Sequence, residues 1–168
     1  MTEQIDFVTE YAPALESTDH IKIKERYFLF INGEFTEPTS GKYFPTLNPA
    51  TEKTLSKIAE ANKSDVDKAV QSARNAYENT WSKIPAKERG KYIYRISRML
   101  QERSREFAVI ESMDGGKPIR ESRDVDIPLA AAHFFYYAGW ADKLEYSFPG
   151  RQAKSLGVVG QIIPWNFP

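Results

Sequence analysis

The chain has 168 residues, 41% of them hydrophobic and 27% charged, which fits one ordinary globular domain and not a disordered segment. Its 23 basic and 23 acidic residues cancel, so charge gives no reason to expect a nucleic acid or an anionic membrane as partner. The lack of cysteine excludes disulfides and cysteine-built metal sites, and His20 and His133 lie too far apart in sequence to favour a metal site.

The N-terminal residues 1–26 are polar and acidic near the start, with no sustained apolar period, and are predicted to form an arm. They lack the charged-then-apolar pattern of a signal peptide. No apolar run in the chain is long enough to span a bilayer. A cytoplasmic location is therefore expected.

Residues 27–59 carry the pattern of a small antiparallel β unit. The β-prone run 27–31 ends at Asn32-Gly33, a strong hairpin signal because both central turn positions need a positive φ. The runs 42–47 and 54–59 predict two further strands, separated by a turn at Asn48-Pro49.

Two helices are predicted next. The first begins at Ser64, whose hydroxyl caps the helix while Asp67 completes an approximate capping box. The second spans 86–113, and Gly115-Gly116 followed by Pro118 ends it. The spacing of apolar residues gives each helix one buried face.

A third helical stretch is predicted over 119–144, interrupted by Pro128. Either the helix kinks at the proline, or Asp126 caps a new helix there. Apolar residues keep helical spacing across Pro128, which favours the kink. A turn-rich crossing follows.

The last residues combine a β-prone apolar run, 157–163, with the sequence Pro-Trp-Asn-Phe-Pro at 164–168. The run predicts a core strand, the only buried-type strand in the chain. Three helices with apolar faces then have little sheet to cover. The pattern favours one part of a larger α/β fold, and we expect the isolated chain to be poorly soluble or partly unfolded.

Five segments, taken in order, resemble landmarks of the aldehyde dehydrogenase superfamily: 30–35, 44–51, 111–118, 136–143 and 164–168. Each segment is weak evidence alone, but the ordered set is specific, and the resemblance covers residue 27 to the end. It implies an incomplete N-terminal part of that α/β fold. The implied divisions are an arm at 1–26, part of the cofactor-binding domain at 27–144, a shortened bridging segment at 145–156 and the truncated start of a Rossmann-like sheet at 157–168.

The activity that this resemblance implies is oxidation of an aldehyde to a carboxylic acid with NAD or NADP as acceptor. The family uses a cysteine thiolate as nucleophile and a glutamate as general base. This sequence has no cysteine and ends before the glutamate motif, so we expect the chain to be inactive alone. The intact enzyme is expected to be a homo-oligomer. The alternative is a non-catalytic short product that docks on a full-length homologue or on a separate C-terminal half.

The resemblance also implies site residues. Asn166 matches the family's oxyanion stabiliser, although an asparagine before Phe-Pro also suits a simple turn. Four positions match the wall at the nicotinamide–ribose end of the cofactor: Ile162, Ile163, Pro164 and Trp165. Three match the border of the aldehyde tunnel: Val125, Leu129 and Phe167. Core packing is the alternative for both apolar sets.

Overall fold

The computed structural model describes residues 17–167, in which short strands precede a series of helices. The strands are β1 (Arg26–Tyr27), β2 (Leu29–Ile31), β3 (Glu34–Thr36), β4 (Tyr43–Asn48) and β5 (Lys53–Ala59). The helices are α1 (Lys63–Asn79), α2 (Ala86–Glu102), α3 (Ser104–Gly115), α4 (Ile119–Glu121), α5 (Ile127–Trp140) and α6 (Leu144–Ser147), with a 3₁₀ turn at Trp81–Lys83 and a π-helical turn at Ser122–Asp126. This content confirms the predicted α/β class. The predicted arm lies mostly outside the described residues.

The predicted hairpin at Asn32-Gly33 is confirmed. Both residues have positive φ, 56° and 81°, and β2 pairs antiparallel with β3 across them. Strand β4 pairs antiparallel with β5, with a register shift at Thr46/Leu47. The predicted run 27–31 is divided at Phe28, because β1 leaves the hairpin and pairs parallel with β5. A purely antiparallel unit was therefore the wrong prediction.

Helix α1 begins one residue earlier than predicted, and with a different cap. Asn62 is the N-cap: its side chain accepts from the Asp65 amide at 3.1 Å, and Asp65 accepts from the Asn62 amide at 3.1 Å. The predicted Ser64–Asp67 box was wrong, since Asp67 instead pairs with Lys63 at 2.7 Å. The reason is tertiary, because the buried Asp65 also accepts bonds from the amide and hydroxyl of Thr39.

The Asp65 carboxylate makes stability depend on pH. The Thr39 hydroxyl, which donates to it, is the main cause that lowers the pKa of Asp65. A pKa depressed below the unfolded value of about 3.9 adds stability that is present above that value and lost as the pH falls through the folded pKa. We expect Asp65→Asn to lower the urea midpoint at pH 7 and to flatten its fall below about pH 4. Asp67→Asn is the control, and an equal effect from it would contradict the assignment.

The predicted helix over 86–113 is two helices. Arg103 breaks it with φ −106° and ψ 17°, although no glycine or proline is present there. Helix α2 packs on α5, whereas α3 packs on β4 and the π-helical turn. One straight helix cannot reach both surfaces, so tertiary packing overrides the local helical pattern.

Pro128 lies just inside α5 and does not interrupt the helical path. The π-helical turn precedes it, and Asp126 keeps helical angles without capping through its side chain. A proline ring crowds the carbonyl four residues earlier in an ordinary α-helix, and a wider turn relieves that contact. The helical angles continue from the π-helical turn into α5, and the alternative of a side-chain cap at Asp126 was wrong.

Helices α2 and α5 approach closely along small residues. The buried Ser97 hydroxyl donates to the Ala131 carbonyl at 2.8 Å. Two turns earlier, a Cβ on Gly90 would lie 2.9 Å from the Ala138 carbonyl oxygen. The two contacts run in opposite chain directions, so the helices are antiparallel.

The core of the described residues is thin. Its buried apolar members are small: Ala59, Ala108, Val109 and Ala131. The predicted strand over 157–163 is not formed, which corrects that prediction. A strand needs a hydrogen-bonding neighbour, and within residues 17–167 none pairs with this run. Ile162 is accordingly fully exposed.

Candidate functional site

The C-terminal end of α3 is fixed in place by backbone geometry and by the sheet. Gly116 caps the helix with φ 71°, in the left-handed region, which confirms the predicted stop. A Cβ at Gly116 would lie 3.1 Å from the Cβ of Pro49, so a side chain there would also crowd the proline ring. The Thr46 hydroxyl donates to Asp114 in the last turn. The residue after the cap therefore has a defined position.

That residue is Lys117, the cation of a largely buried charge cluster. Its ammonium donates to the Asp126 carboxylate and lies 3.5 Å from Oε1 of Glu111. The side-chain exposures are 20% for Lys117, 11% for Glu111 and 12% for Asp126. The hydrogen bond that the Lys117 ammonium donates to Asp126 raises the pKa of Lys117. Desolvation, helped by the neighbouring Asp126, raises the pKa of Glu111.

The two carboxylates are expected to respond oppositely to neutralisation. A pKa of Glu111 above its unfolded value of about 4.3 means that the ionised form costs stability near neutral pH, and that this cost disappears as the pH falls through the folded pKa. Glu111→Gln is expected to raise the urea midpoint at pH 7. Asp126→Asn is expected to lower it, because a buried ammonium loses its charged acceptor. A fall of equal size in both variants would contradict this division.

The segment containing Asn166 lies against this cluster. The Lys117 ammonium is 4.0 Å from the centre of the Phe167 ring, a cation–π contact. Trp165 and Asn166 line a cavity of about 210 Å³ with four residues at the end of α3, namely Glu111, Gly115, Gly116 and Lys117. Within residues 17–167, no group donates a hydrogen bond to the Asn166 side chain or accepts one from it. Its amide is thus available to a ligand.

The structure gathers some of the sequence-predicted site residues and leaves others apart. Trp165, Asn166 and Phe167 lie at the Lys117 cluster. Val125 precedes Asp126 on the π-helical turn, and Leu129 follows one turn later; both are about half exposed. Ile162, Ile163 and Pro164 are exposed and do not line this cavity.

Sequence reasoning missed the cluster itself. Glu111 and Lys117 belong to the segment 111–118, which the sequence analysis used as a family landmark and for its helix cap, and Asp126 was weighed only as a cap. The available signal was the proximity of opposite charges to a helix end, where a lysine also favours the dipole. The contact with Phe167, fifty residues away, had no local signal.

Two kinds of site are not found in the described part of the chain. No group of three histidine, aspartate or glutamate side chains between residues 17 and 167 is arranged to hold a metal ion. No helix in that range is long and apolar enough to cross a membrane.

Comparisons with known proteins give a consistent result. The model of the aldehyde dehydrogenase family matches residues 35–168. The chain is 42% identical over 149 residues to aldehyde dehydrogenase family 2 member B4, mitochondrial, of Arabidopsis thaliana, covering 83% of this chain and 28% of that protein. It is 40% identical over 151 residues to human retinal dehydrogenase 2, covering 83% and 29%. The chain thus spans less than a third of these relatives.

Solved structures show the same relationship. The NAD+ complex of an aldehyde dehydrogenase from Bacillus cereus superposes with a TM-score of 0.71 at 40% identity, covering 73% of this chain and 25% of that one. PnpE in complex with nicotinamide adenine dinucleotide gives 0.68 at 38% identity, covering 70% and 24%.

Proposed function

Because this chain belongs to the aldehyde dehydrogenase family, we propose that it supplies the oxyanion donor and part of the pocket wall for NAD(P)-dependent oxidation of aldehydes to carboxylic acids. The observation that carries this proposal is the Asn166 side chain, which lines the cavity at the end of α3 and whose amide makes no hydrogen bond within residues 17–167. Residues that this chain does not contain complete the reaction.

Asn166 serves as the oxyanion stabiliser. Attack at an aldehyde carbon places negative charge on the carbonyl oxygen, and a fixed amide N–H stabilises that charge in the transition state. The Lys117 ammonium also lines the cavity and offsets the negative charge of Glu111 and Asp126 beside it. A turn asparagine needs none of these surroundings.

The apolar run before Asn166 fits one wall of the cofactor site. Ile162, Ile163, Pro164 and Trp165 present exposed apolar surface suited to a planar ring and its ribose. Their assignment to the nicotinamide–ribose end of the cofactor is what the resemblance to the family implies. The chemistry that NAD or NADP supplies is acceptance of a hydride from the substrate carbon.

The substrate wall is formed by Val125, Leu129 and Phe167. Val125 and Leu129 are four residues apart on one helical path and expose 48% and 52% of their surface. Phe167 contacts Lys117, which in turn contacts Asp126 beside Val125. This chain of contacts brings Phe167 and Val125 to the same charge cluster, which supports their common assignment to the aldehyde tunnel that the resemblance implies.

The chain by itself is proposed to be inactive. The family's nucleophile is a cysteine thiolate, and none of the 168 residues is a cysteine. The glutamate base belongs to a family segment that has no match in this sequence. Both groups have to come from additional residues or from a second polypeptide.

The test joins the 168 residues to the remaining sequence of the Bacillus cereus aldehyde dehydrogenase at the Pro-Trp-Asn-Phe-Pro segment. We expect the chimera to form NADH from an aldehyde, and the 168-residue chain alone to form none. A folded chimera that binds NAD+ but oxidises no aldehyde would overturn the proposed function. NADH formation by the purified 168-residue chain would overturn its inactivity.

A second function is favoured by the exposed apolar surface of residues 156–167, where Leu156, Ile162 and Trp165 are about nine-tenths exposed or more. Such a surface suits docking on a homologue or on a separate C-terminal half. Co-expression with the C-terminal part of the Bacillus cereus enzyme tests it. Recovery of a stoichiometric complex supports docking, whereas separate elution of the two chains contradicts it.

Location and assembly are proposed by the same reasoning. Cytoplasmic residence is proposed as the default location, although named relatives include mitochondrial proteins. Homo-oligomerisation of the complete enzyme is proposed through exposed aromatic side chains of α5, among them Tyr136 and Tyr137.

A further inference from the structure

Lys117 contacts three separate parts of the chain. Glu111 belongs to α3, Asp126 to the π-helical turn and Phe167 to the C-terminal segment. The first two parts also pack on each other, and Trp165 and Asn166 meet the end of α3 across the cavity. One side chain therefore links the end of α3, the helix path with Val125, and the segment with Asn166.

The position of the ammonium is tightly determined. Lys117 lies between the left-handed Gly116 and Pro118, whose φ is −55°, so its backbone has little freedom. Two carboxylates then hold the ammonium from one side. The centre of the Phe167 ring, 62% of whose surface is exposed, lies 4.0 Å from the ammonium.

The charge balance favours an aromatic ring at that point. Two carboxylates and one ammonium occupy a region where the side chains are at most 20% exposed. An ammonium in such surroundings gains from the negative face of an aromatic ring, and a partly desolvated cation–π contact contributes more than an exposed one. A neutral side chain at position 117 would leave the carboxylates facing each other and the ring without a partner.

We propose that Lys117 is a positioning residue, which holds the Asn166 segment against the helix path of Val125 and Leu129 through its contact with Phe167. Lys117 itself touches neither substrate nor cofactor in this role. The role of this positioning in the reaction rests on the proposed function. The contact between Lys117 and Phe167 does not depend on catalysis.

The test uses the 168-residue chain labelled with 5-fluorotryptophan, without aldehyde or NAD. Its three tryptophans give three ¹⁹F signals, and Trp165 lines the same cavity as Lys117. We expect Lys117→Met to shift the Trp165 signal away from its position in the parent chain, while the Trp81 and Trp140 signals stay unchanged. Phe167→Leu is expected to produce the same selective shift, and Lys117→Arg to retain the native signal because arginine keeps the charge and the ring contact.

The matched control is Lys143→Met, which removes an exposed lysine paired with Asp142 and is expected to shift no Trp165 signal. An unchanged Trp165 signal in Lys117→Met overturns the proposal. A shift of all three signals assigns Lys117 to global folding and also overturns it. Because no substrate is present, failure here is distinguishable from an inactive chimera, which bears on the proposed function alone.

Discussion

Replacing Asn166 by alanine in the active chimera is expected to lower kcat by about 10²–10³, equivalent to roughly 3–4 kcal/mol of transition-state stabilisation. The reason is that the amide acts on charge that develops only in the transition state. KM is expected to change little, so that kcat and kcat/KM fall together. Steady-state kinetics with one aldehyde at saturating NAD+ measures both values.

The matched control for this prediction is Asn79→Ala, at the exposed end of α1 far from the cavity in sequence. It is expected to leave kcat unchanged. A loss of kcat below about fivefold in Asn166→Ala would contradict the oxyanion role. A rise in KM with unchanged kcat would assign Asn166 to ground-state binding instead.

Gly90→Ala is expected to make the chain less stable than Gly139→Ala by about 1–3 kcal/mol in the free energy of unfolding. Both substitutions add one methyl group to a helical glycine, and both gain about 1 kcal/mol of helix propensity. They differ in space. The new Cβ at Gly90 would lie 2.9 Å from a backbone carbonyl, whereas nothing lies within 4 Å at Gly139.

Urea unfolding followed by circular dichroism, at low protein concentration, measures this difference. Gly139→Ala is expected to be as stable as the parent chain or slightly more stable. Because the backbone of Ala138 cannot move without shifting α5, the cost at Gly90 is not relieved by a side-chain rotation. Equal stability of the two variants would contradict the close approach of α2 and α5.

Local chemistry allowed much of the secondary structure to be predicted. The Asn32-Gly33 turn is fixed by the positive φ that its two positions need, and the stop at Gly116 by the left-handed cap. Both are decided within a few residues. The parallel pairing of β1 with β5 was not predictable, because it depends on residues about thirty positions apart.

The errors share one physical cause. The hydrogen bond that Thr39 donates to Asp65 places the helix cap at Asn62. The helix breaks at Arg103 because α2 and α3 pack on two different surfaces. The apolar run 157–163 has the composition of a strand but no neighbour to pair with among the described residues. In each case a distant contact, present or absent, decides the local structure.

The sequence by itself determined the family, the α/β class, the turns and the identity of Asn166 as the candidate oxyanion donor. These follow from residue types and short spacings, where backbone preferences and motif order carry the information. Only the tertiary structure decided that Lys117 lies among Glu111, Asp126 and Phe167. That arrangement depends on contacts between residues up to fifty positions apart in the sequence. Burial penalises an ion that is left unpaired, so the folded chain brings charged side chains of opposite sign together.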